Sequence, residues 1–270
     1  MSERAMGTQI EKLLGLERKL VGVKFIFDKR DFDEETAPRV KYKMSYCSMV
    51  RMASEGKSFK ADLDNFLCVG SAKVLGLIKP DARAVSGRIY YSFGIYDSLG
   101  TARNVQKDVT FLDHEAAAVV VKPLDAFENR PDVVLMLVNP YQAMRVTQSY
   151  VYYRGMPKNI RIAANSGICS ECTATPYATN DLNVSLLCSN TRYAAKWHDH
   201  EMGIGLPYGM LSMIRDGLVK TVNPCEPNER KKDILERLGE DEIAGKIMIN
   251  STYFKTAGND TSGGNTEKLK

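Results

Sequence analysis

Apolar residues along this chain recur with two different periods, and the switches between them predict a sheet flanked by helices. Continuous runs rich in β-branched and aromatic residues at 20–27, 116–121 and 133–138 predict buried strands. Shorter apolar runs at 184–187 and 202–206, and the stretch 159–164, predict three more, and 58–67 reads as extended. Helical spacing marks 8–17, where Thr8 and Glu11 stand in capping-box register, and also 45–55, 71–77, 101–109 and 228–238. The strongest helix start is Asn139-Pro140, an N-cap followed by proline at the first helical position, with an amphipathic run through Tyr153. A further helix is predicted over 207–219. The charged stretch 28–40 predicts a surface loop, and 87–99, with Tyr90, Tyr91, Phe93 and Tyr96 set among glycine and serine, predicts a strand or a loop lining a pocket.

Strands interleaved with helices imply an α/β or mixed α+β fold, a central sheet with flanking helices. A single domain over 8–254 and a disordered polar tail over 255–270 are expected, the tail because it has almost nothing apolar to bury. With 270 residues the chain can build a sizeable core, and its hydrophobic content of 44% and charged content of 26% are ordinary for a globular protein. A net charge of +4 with dispersed Lys and Arg makes no electrostatic case for nucleic acid. No stretch is long and apolar enough to span a bilayer, and the first residues lack the apolar run of a signal peptide. A cytoplasmic protein is expected, in which six cysteines point to metal or redox chemistry rather than to disulfides.

Three of those cysteines, Cys169, Cys172 and Cys188, fall within residues 167–192. Cys188 ends a predicted strand, and Ser189, Asn190 and Thr191 offer helix-start chemistry; a thiol there meets the positive end of a helix, which favours its thiolate. Cys47-Ser-Met-Val-Arg51 repeats the pattern of Cys188-Ser-Asn-Thr-Arg192, hinting at two related halves, and Cys68 precedes another turn into a helix. Cys47, Cys68, Cys169 and Cys188 form a candidate ligand set, with Cys172 as a substitute or fifth thiol. Thiolates are soft anionic donors suited to an iron–sulfur cluster, the four-iron–four-sulfur type among them, or to zinc. Only Cys169-Ser-Glu-Cys172 has local knuckle spacing, and the bland alternative is buried thiols with no metal at all. Arg51 and Arg192, one turn after their cysteines, are candidate catalytic residues that lower a thiol pKa or grip an anionic substrate; the alternative is a surface ion pair.

Other features read more plainly. His198-Asp199-His200 fits a solvated loop better than a ligand pair, and Trp197 fits packing. Gly203-Ile-Gly-Leu-Pro and Cys68-Val-Gly-Ser-Ala fit tight turns better than phosphate sites, since neither matches a nucleotide fingerprint. Asn139, Gln142 and Arg145 fit the capping and solvation of a helix.

Several short motifs occur in a set order: Leu16-x-x-x-x-Val-Gly-Val-Lys-Phe, Cys47 with Arg51, Cys68-Val-Gly-Ser-Ala, Pro131-Asp-Val-Val-Leu, Asn139-Pro-Tyr-Gln-Ala-Met-Arg145, Asn183-Val-Ser-Leu-x-Cys188-x-x-x-Arg192 and Gly203-Ile-Gly-Leu-Pro207. Together, over residues 13–219, they resemble the archaeal and bacterial domain-of-unknown-function family 169. The resemblance implies no activity, because the biochemistry of that family is unassigned. It implies single cysteines at Cys47, Cys68, Cys169 and Cys188, with Cys172 an addition and Cys225 outside the motifs. The resulting expectation is a thiolate-ligated metal protein, iron–sulfur before zinc, acting by redox or Lewis-acid chemistry on a small molecule, with the tyrosines from Tyr90 to Tyr96 as pocket wall. The rivals are a non-catalytic binder of a small ligand or cofactor and a metal-free thiol enzyme with Cys188 as nucleophile. Neither nucleic acid nor membrane is an expected partner, and the sequence gives no oligomeric state.

Overall fold

Six strands, β1 (Val21–Ile26), β2 (Phe59–Asp62), β3 (Ala118–Pro123), β4 (Val133–Val138), β5 (Asn183–Ser185) and β6 (Met202–Pro207), form one sheet in the order β2-β3-β1-β4-β6-β5. Every neighbouring pair runs antiparallel. The structure is a computed structural model and describes residues 3–252; the expected tail at 255–270 lies outside the described residues. No helix among the described residues is long and apolar enough to cross a membrane. The fold is therefore mixed α and β around a single antiparallel sheet, as the interleaved periods predict.

Side-chain alternation along the strands sends neighbouring residues to opposite faces, and β4 buries both sets. Val133, Leu135 and Leu137 join one core, whereas Val134, Met136 and Val138 join the other. The second core is covered by four regular helices: α1 (Glu3–Leu14), α8 (Pro140–Arg154), α11 (Leu211–Cys225) and α12 (Asn228–Leu238). The first is covered by shorter pieces: α3 (Tyr46–Ser54), α4 (Val69–Val74), a π-helical segment at Gly167–Ala174, and α10 (Ser189–Ala195). Three further helices, α5 (Ala82–Val85), α6 (Arg88–Ser92) and α7 (Leu99–Asp108), pack on one another beside this face. The small helices α2 (Lys29–Glu34) and α9 (Thr175–Thr179) complete the set. Phe32 of α2 packs with Ile26, Ala37, Ala118 and Val120 at one corner of the sheet.

The strand order carries an internal symmetry that the repeated motif does not mark. Outward from the centre the sheet reads β1, β3, β2 on one side and β4, β6, β5 on the other, and β1 pairs antiparallel with β4. In each half the first strand is central, the second is the edge and the third lies between. Within that scheme Cys68 and Cys188 are equivalent, since each is the N-cap residue of the helix that follows its edge strand. Cys47 and Cys169 correspond in turn, each on a helical segment between the central and the edge strand, with α9 also standing between Cys169 and β5. The two Cys-Ser-x-x-Arg copies thus occupy non-equivalent places, for Ser45 is the N-cap of α3 and Cys47 lies inside that helix.

Several local expectations are corrected. Residues 159–164 are not a strand: side chains hold the segment in place, Asn183 accepting from Arg161 N and donating to Arg161 O, and Glu171 accepting from Ala163 N and Ala164 N. The loop expected at 28–40 contains α2, capped by Asp28, whose carboxylate accepts from Arg30 N. Thr8 is inside α1 and not its cap, and Glu11 instead accepts from Leu20 N at the start of β1. Asn139 and Gln142 do form the capping box of α8. Arg145, however, is buried rather than solvated, paired with Glu226 at 2.6 Å with both side chains at most 3% exposed.

Gly203 and Gly205 are not a turn but part of β6. A Cβ at Gly205 would stand 1.8 Å from the carbonyl oxygen of Cys172, and one at Gly203 would stand 2.5 Å from its sulfur. The glycines let the π-helical segment lie directly on the sheet.

Candidate functional site

Four cysteines from four separate segments line one cavity of about 490 Å³ on the short-helix face: Cys47, Cys68, Cys169 and Cys188. Each is positioned by its own local device. The Ser45 hydroxyl caps α3 by accepting from Ser48 N, so Cys47 sits in the first turn with its sulfur 3.5 Å from that same hydroxyl. Cys68 follows Phe66, which is buried and stacked on Tyr46 at 6.3 Å, and its carbonyl accepts from Ser71 N and Ser71 Oγ. Cys169 rides on the π-helical segment, a geometry rare in helices and concentrated at functional sites.

Cys188 is presented by a strained residue. Leu187 holds φ at 68° while 1% exposed, a left-handed conformation that a leucine adopts only when its surroundings dictate it. The Leu187 N–H is held by the Ser185 hydroxyl, and Gly167, the first residue of the π-helical segment, packs directly against it: a Cβ there would stand 2.7 Å from Leu187 Cα. The chain before Cys188 and the segment carrying Cys169 are therefore locked together. Ala164, on the cavity wall, is a second left-handed residue, with φ of 56°.

The thiols act on one another electrically. Burial pushes the Cys169 thiol well up, and the nearby Cys188, Cys68 and Cys47 push in the same direction. Burial likewise raises Cys47, with Cys188 and Cys68 adding to the rise and the Ser45 and Thr191 hydroxyls opposing it. Thr191, 1% exposed, also lies 3.1 Å from the Cys188 sulfur, so a single hydroxyl serves two of the four thiols. Tyr90 on the same wall is pushed up to about 12, first by burial, although its hydrogen bond with Ser166 works the other way. Among the described residues no three Cys, His, Asp or Glu side chains are gathered closely enough to hold a metal ion as they stand. The thiols line the cavity wall.

The other residues singled out in the sequence go elsewhere. Cys172 is wholly buried beneath β6 and does not line the cavity. Its thiol is raised well up by burial, with Glu171 adding to the rise. Cys225 ends α11 on the opposite side of the sheet.

Arg51 and Arg192 do not line the cavity either. Arg192 donates to the carbonyls of Leu186, His198 and Glu201. Arg51 donates to the carbonyl of Ala195 and pairs with Glu55 at 3.1 Å. Arg18 then joins Glu55 to Glu201. The two arginines thus bind the turn after α10 to itself and to α3, fixing the helices that carry Cys188 and Cys47 relative to each other.

His198 and His200 stack at 5.5 Å on the exposed surface, while His114 sits among Phe25, Phe27 and Tyr177, its Nε2 3.0 Å from Leu75 O. Trp197 packs in the core at 4% exposure.

The stretch 87–99 supplies pocket wall and no strand: Ile89, Tyr90, Phe93 and Ile95 face the cavity, and Tyr96 lines a neighbouring cleft. Sequence inspection missed Thr191 as a shared thiol partner and Gln106 on the cavity wall. Thr191 carried a usable signal, three residues after a cysteine at a helix start; Gln106, in the last turn of α7 among polar residues, carried none.

A family model described as "Uncharacterised ArCR", domain-of-unknown-function family 169, matches residues 9–217. An uncharacterised protein of Methanocaldococcus jannaschii is 26% identical over 208 residues, covering 76% of this chain and 88% of that protein. No solved structure matches.

Proposed function

Because the chain belongs to domain-of-unknown-function family 169, whose description assigns no activity, we propose its function from the cavity alone: a thiolate-ligated metal site, an iron–sulfur cluster, that works on a small molecule. One observation carries this proposal. Four thiols from four separate segments, in two topologically equivalent pairs, line a single cavity. Cysteines used only as small core residues have no reason to share a wall, and Cys172, buried and off the cavity, is what such a spacer looks like.

Cys47, Cys68, Cys169 and Cys188 would hold the cluster, and Cys172 drops out of the set. The donor chemistry fits: soft sulfur ligands in number for a four-cysteine cluster. The electrostatics fit as well, since Cys47 and Cys169 are held protonated by burial and by neighbouring sulfurs, a cost that a bound cation offsets. When bound, the cluster would supply electron transfer or an open iron acting as a Lewis acid. The chain's own residues do the rest: Thr191 bonds Cys188 and tempers Cys47, Arg51 and Arg192 hold the two helices in register, and Phe93, Ile95 and Phe111 present an apolar wall.

The test is purification of the full chain under nitrogen, followed by iron and acid-labile sulfide analysis and visible spectroscopy. Brown protein with iron and sulfide in equal amounts supports the proposal. Colourless protein that takes up neither iron nor zinc on reconstitution ends it.

A further inference from the structure

One wall of the cavity is tied down more lightly than the rest. It is the strap of residues 88–97, made of α6 and the turn that leads to α7, and it supplies Ile89, Tyr90, Phe93 and Ile95 to the cavity. α6 contains no buried residue, and Phe93 and Ile95 are 70% and 46% exposed although both line the cavity. The strap is fixed at its two ends. Gly87 holds φ at 77° and packs on the backbone of α7, where a Cβ would stand 2.5 Å from Ala102 C. Ser98 caps α7, its hydroxyl accepting from Thr101 N. Between these ends Gly94, with φ of 70°, turns the chain in open space, where a Cβ would meet nothing within 4 Å.

Two hydrogen bonds join the strap to the segment that carries Cys169. The Tyr90 hydroxyl lies 3.1 Å from that of Ser166, and the Asn165 amide donates to the Tyr96 hydroxyl. Ser166 is the N-cap of the π-helical segment, and its carbonyl accepts from Ser170 N and Glu171 N. Among the described residues no other hydrogen bond or ion pair joins 88–97 to a residue beyond Gly87. Surface segments without buried side chains open readily, and one hydrogen bond of ordinary net strength shifts such an opening only about two- to tenfold. Gates over binding sites move on a few residues that absorb a change of φ and ψ, and glycine absorbs it most easily.

We propose that residues 88–97 form a gate over the thiol cavity, latched by Tyr90–Ser166 and Asn165–Tyr96, which swings on Gly87 and Gly94 to admit a metal ion or small molecule to the thiols. This rests on the cavity being the working site, as proposed above, and not on the presence of a cluster.

The test is the rate at which N-ethylmaleimide modifies each cysteine of the chelator-stripped full chain, read by peptide mass spectrometry. Cys169 is the reporter, since of the wall thiols it acts most strongly on Tyr90. Cys172, wholly buried beneath β6, reports opening of the whole fold. Tyr90→Phe and Tyr96→Phe keep the rings and remove the latches. Each should speed Cys169 modification about threefold or more, and the double variant about tenfold or more, with Cys172 unchanged. Unchanged Cys169 rates overturn the inference, and so does an equal acceleration of Cys172. Hydrogen exchange on the parent decides the matter without a variant: the bonded amides of Phe93, Gly94 and Ile95 should exchange about tenfold or more faster than those of α7. Exchange in step with α7 overturns the gate. Latch-dependent Cys169 rates in a protein that never takes up iron would keep this inference and end the cluster proposal; an iron-loading protein whose Cys169 ignores the latches would do the reverse.

Discussion

The two faces of the sheet are built by different rules. On one, α1, α8, α11 and α12 pack regular helical stripes over Val134, Met136, Val138, Ile204 and Leu206. Its buried Arg145 is matched by Glu226, with further bonds to Thr221 and Gln148 and from Tyr141 to Glu226, and the buried Lys231 of α12 donates to Met248 O and Ser251 Oγ. The other face uses short helices, a π-helical segment, a left-handed leucine and the close-approach glycines Gly167, Gly203 and Gly205, and it leaves a cavity. Irregular, strained backbone persists only where its surroundings over-determine it, and such places concentrate at functional sites. The regular face supplies stability and the irregular face holds four thiols.

That division can be broken from either side. The largest expected loss is on the regular face. Arg145→Met strands the Glu226 carboxylate in the core and should cost about 3–5 kcal/mol in urea unfolding, with metal content per folded chain unchanged. The double variant Arg145→Met, Glu226→Leu should recover most of that loss. On the irregular face, Gly205→Ala forces a Cβ into the Cys172 carbonyl and should cost about 3 kcal/mol. Here metal content should fall as well, because the displaced segment carries Cys169; full metal retention would mean that the segment does not set the thiol geometry.

Arg192→Met leaves three carbonyls without their donor and should cost about 2 kcal/mol. Any effect on ligand binding should follow from that loss, whereas an anion-gripping arginine would show weakened binding at full stability.

The smallest expected effect is a pH dependence. The Cys47 and Cys169 thiols are raised in the folded protein above their ordinary value of 9.0. The folded state therefore holds protons that the unfolded state has released, and stability must fall as pH rises. Chelator-stripped protein should be fully stable with respect to these groups below pH 9 and should weaken progressively above it. Cys169→Ser should flatten that decline in thermal melts across the alkaline range.

How much the sequence disclosed follows the same division. The central strands and α8 were legible because an unbroken apolar run or a proline-marked cap is a local signal, and β4 and the Asn139–Gln142 capping box appear where the pattern put them. Residues 159–164 misled because they are held by side chains from later in the chain, Asn183 and Glu171, and not by a strand ladder. Gly203 and Gly205 misled because the reason for glycine is a segment 31 to 33 residues earlier in the chain, pressed against the sheet around Cys172. Arg51 and Arg192 were noticed for their spacing from cysteines, yet their partners are carbonyls that only the folded turn after α10 brings within reach. The four cavity thiols were visible as candidates because they stand at predicted segment junctions; that Cys172 points away could not be read from its Cys-x-x-Cys spacing.

The claim that the cavity thiols act as one ligand set is tested most directly by iron per chain in single Cys→Ser variants, all purified under nitrogen. Cys47, Cys68, Cys169 and Cys188 should each lose most of their iron on substitution, while Cys172→Ser and Cys225→Ser should keep the parent content per folded chain. Iron that is absent from the parent, or lost equally from all six variants, would contradict it.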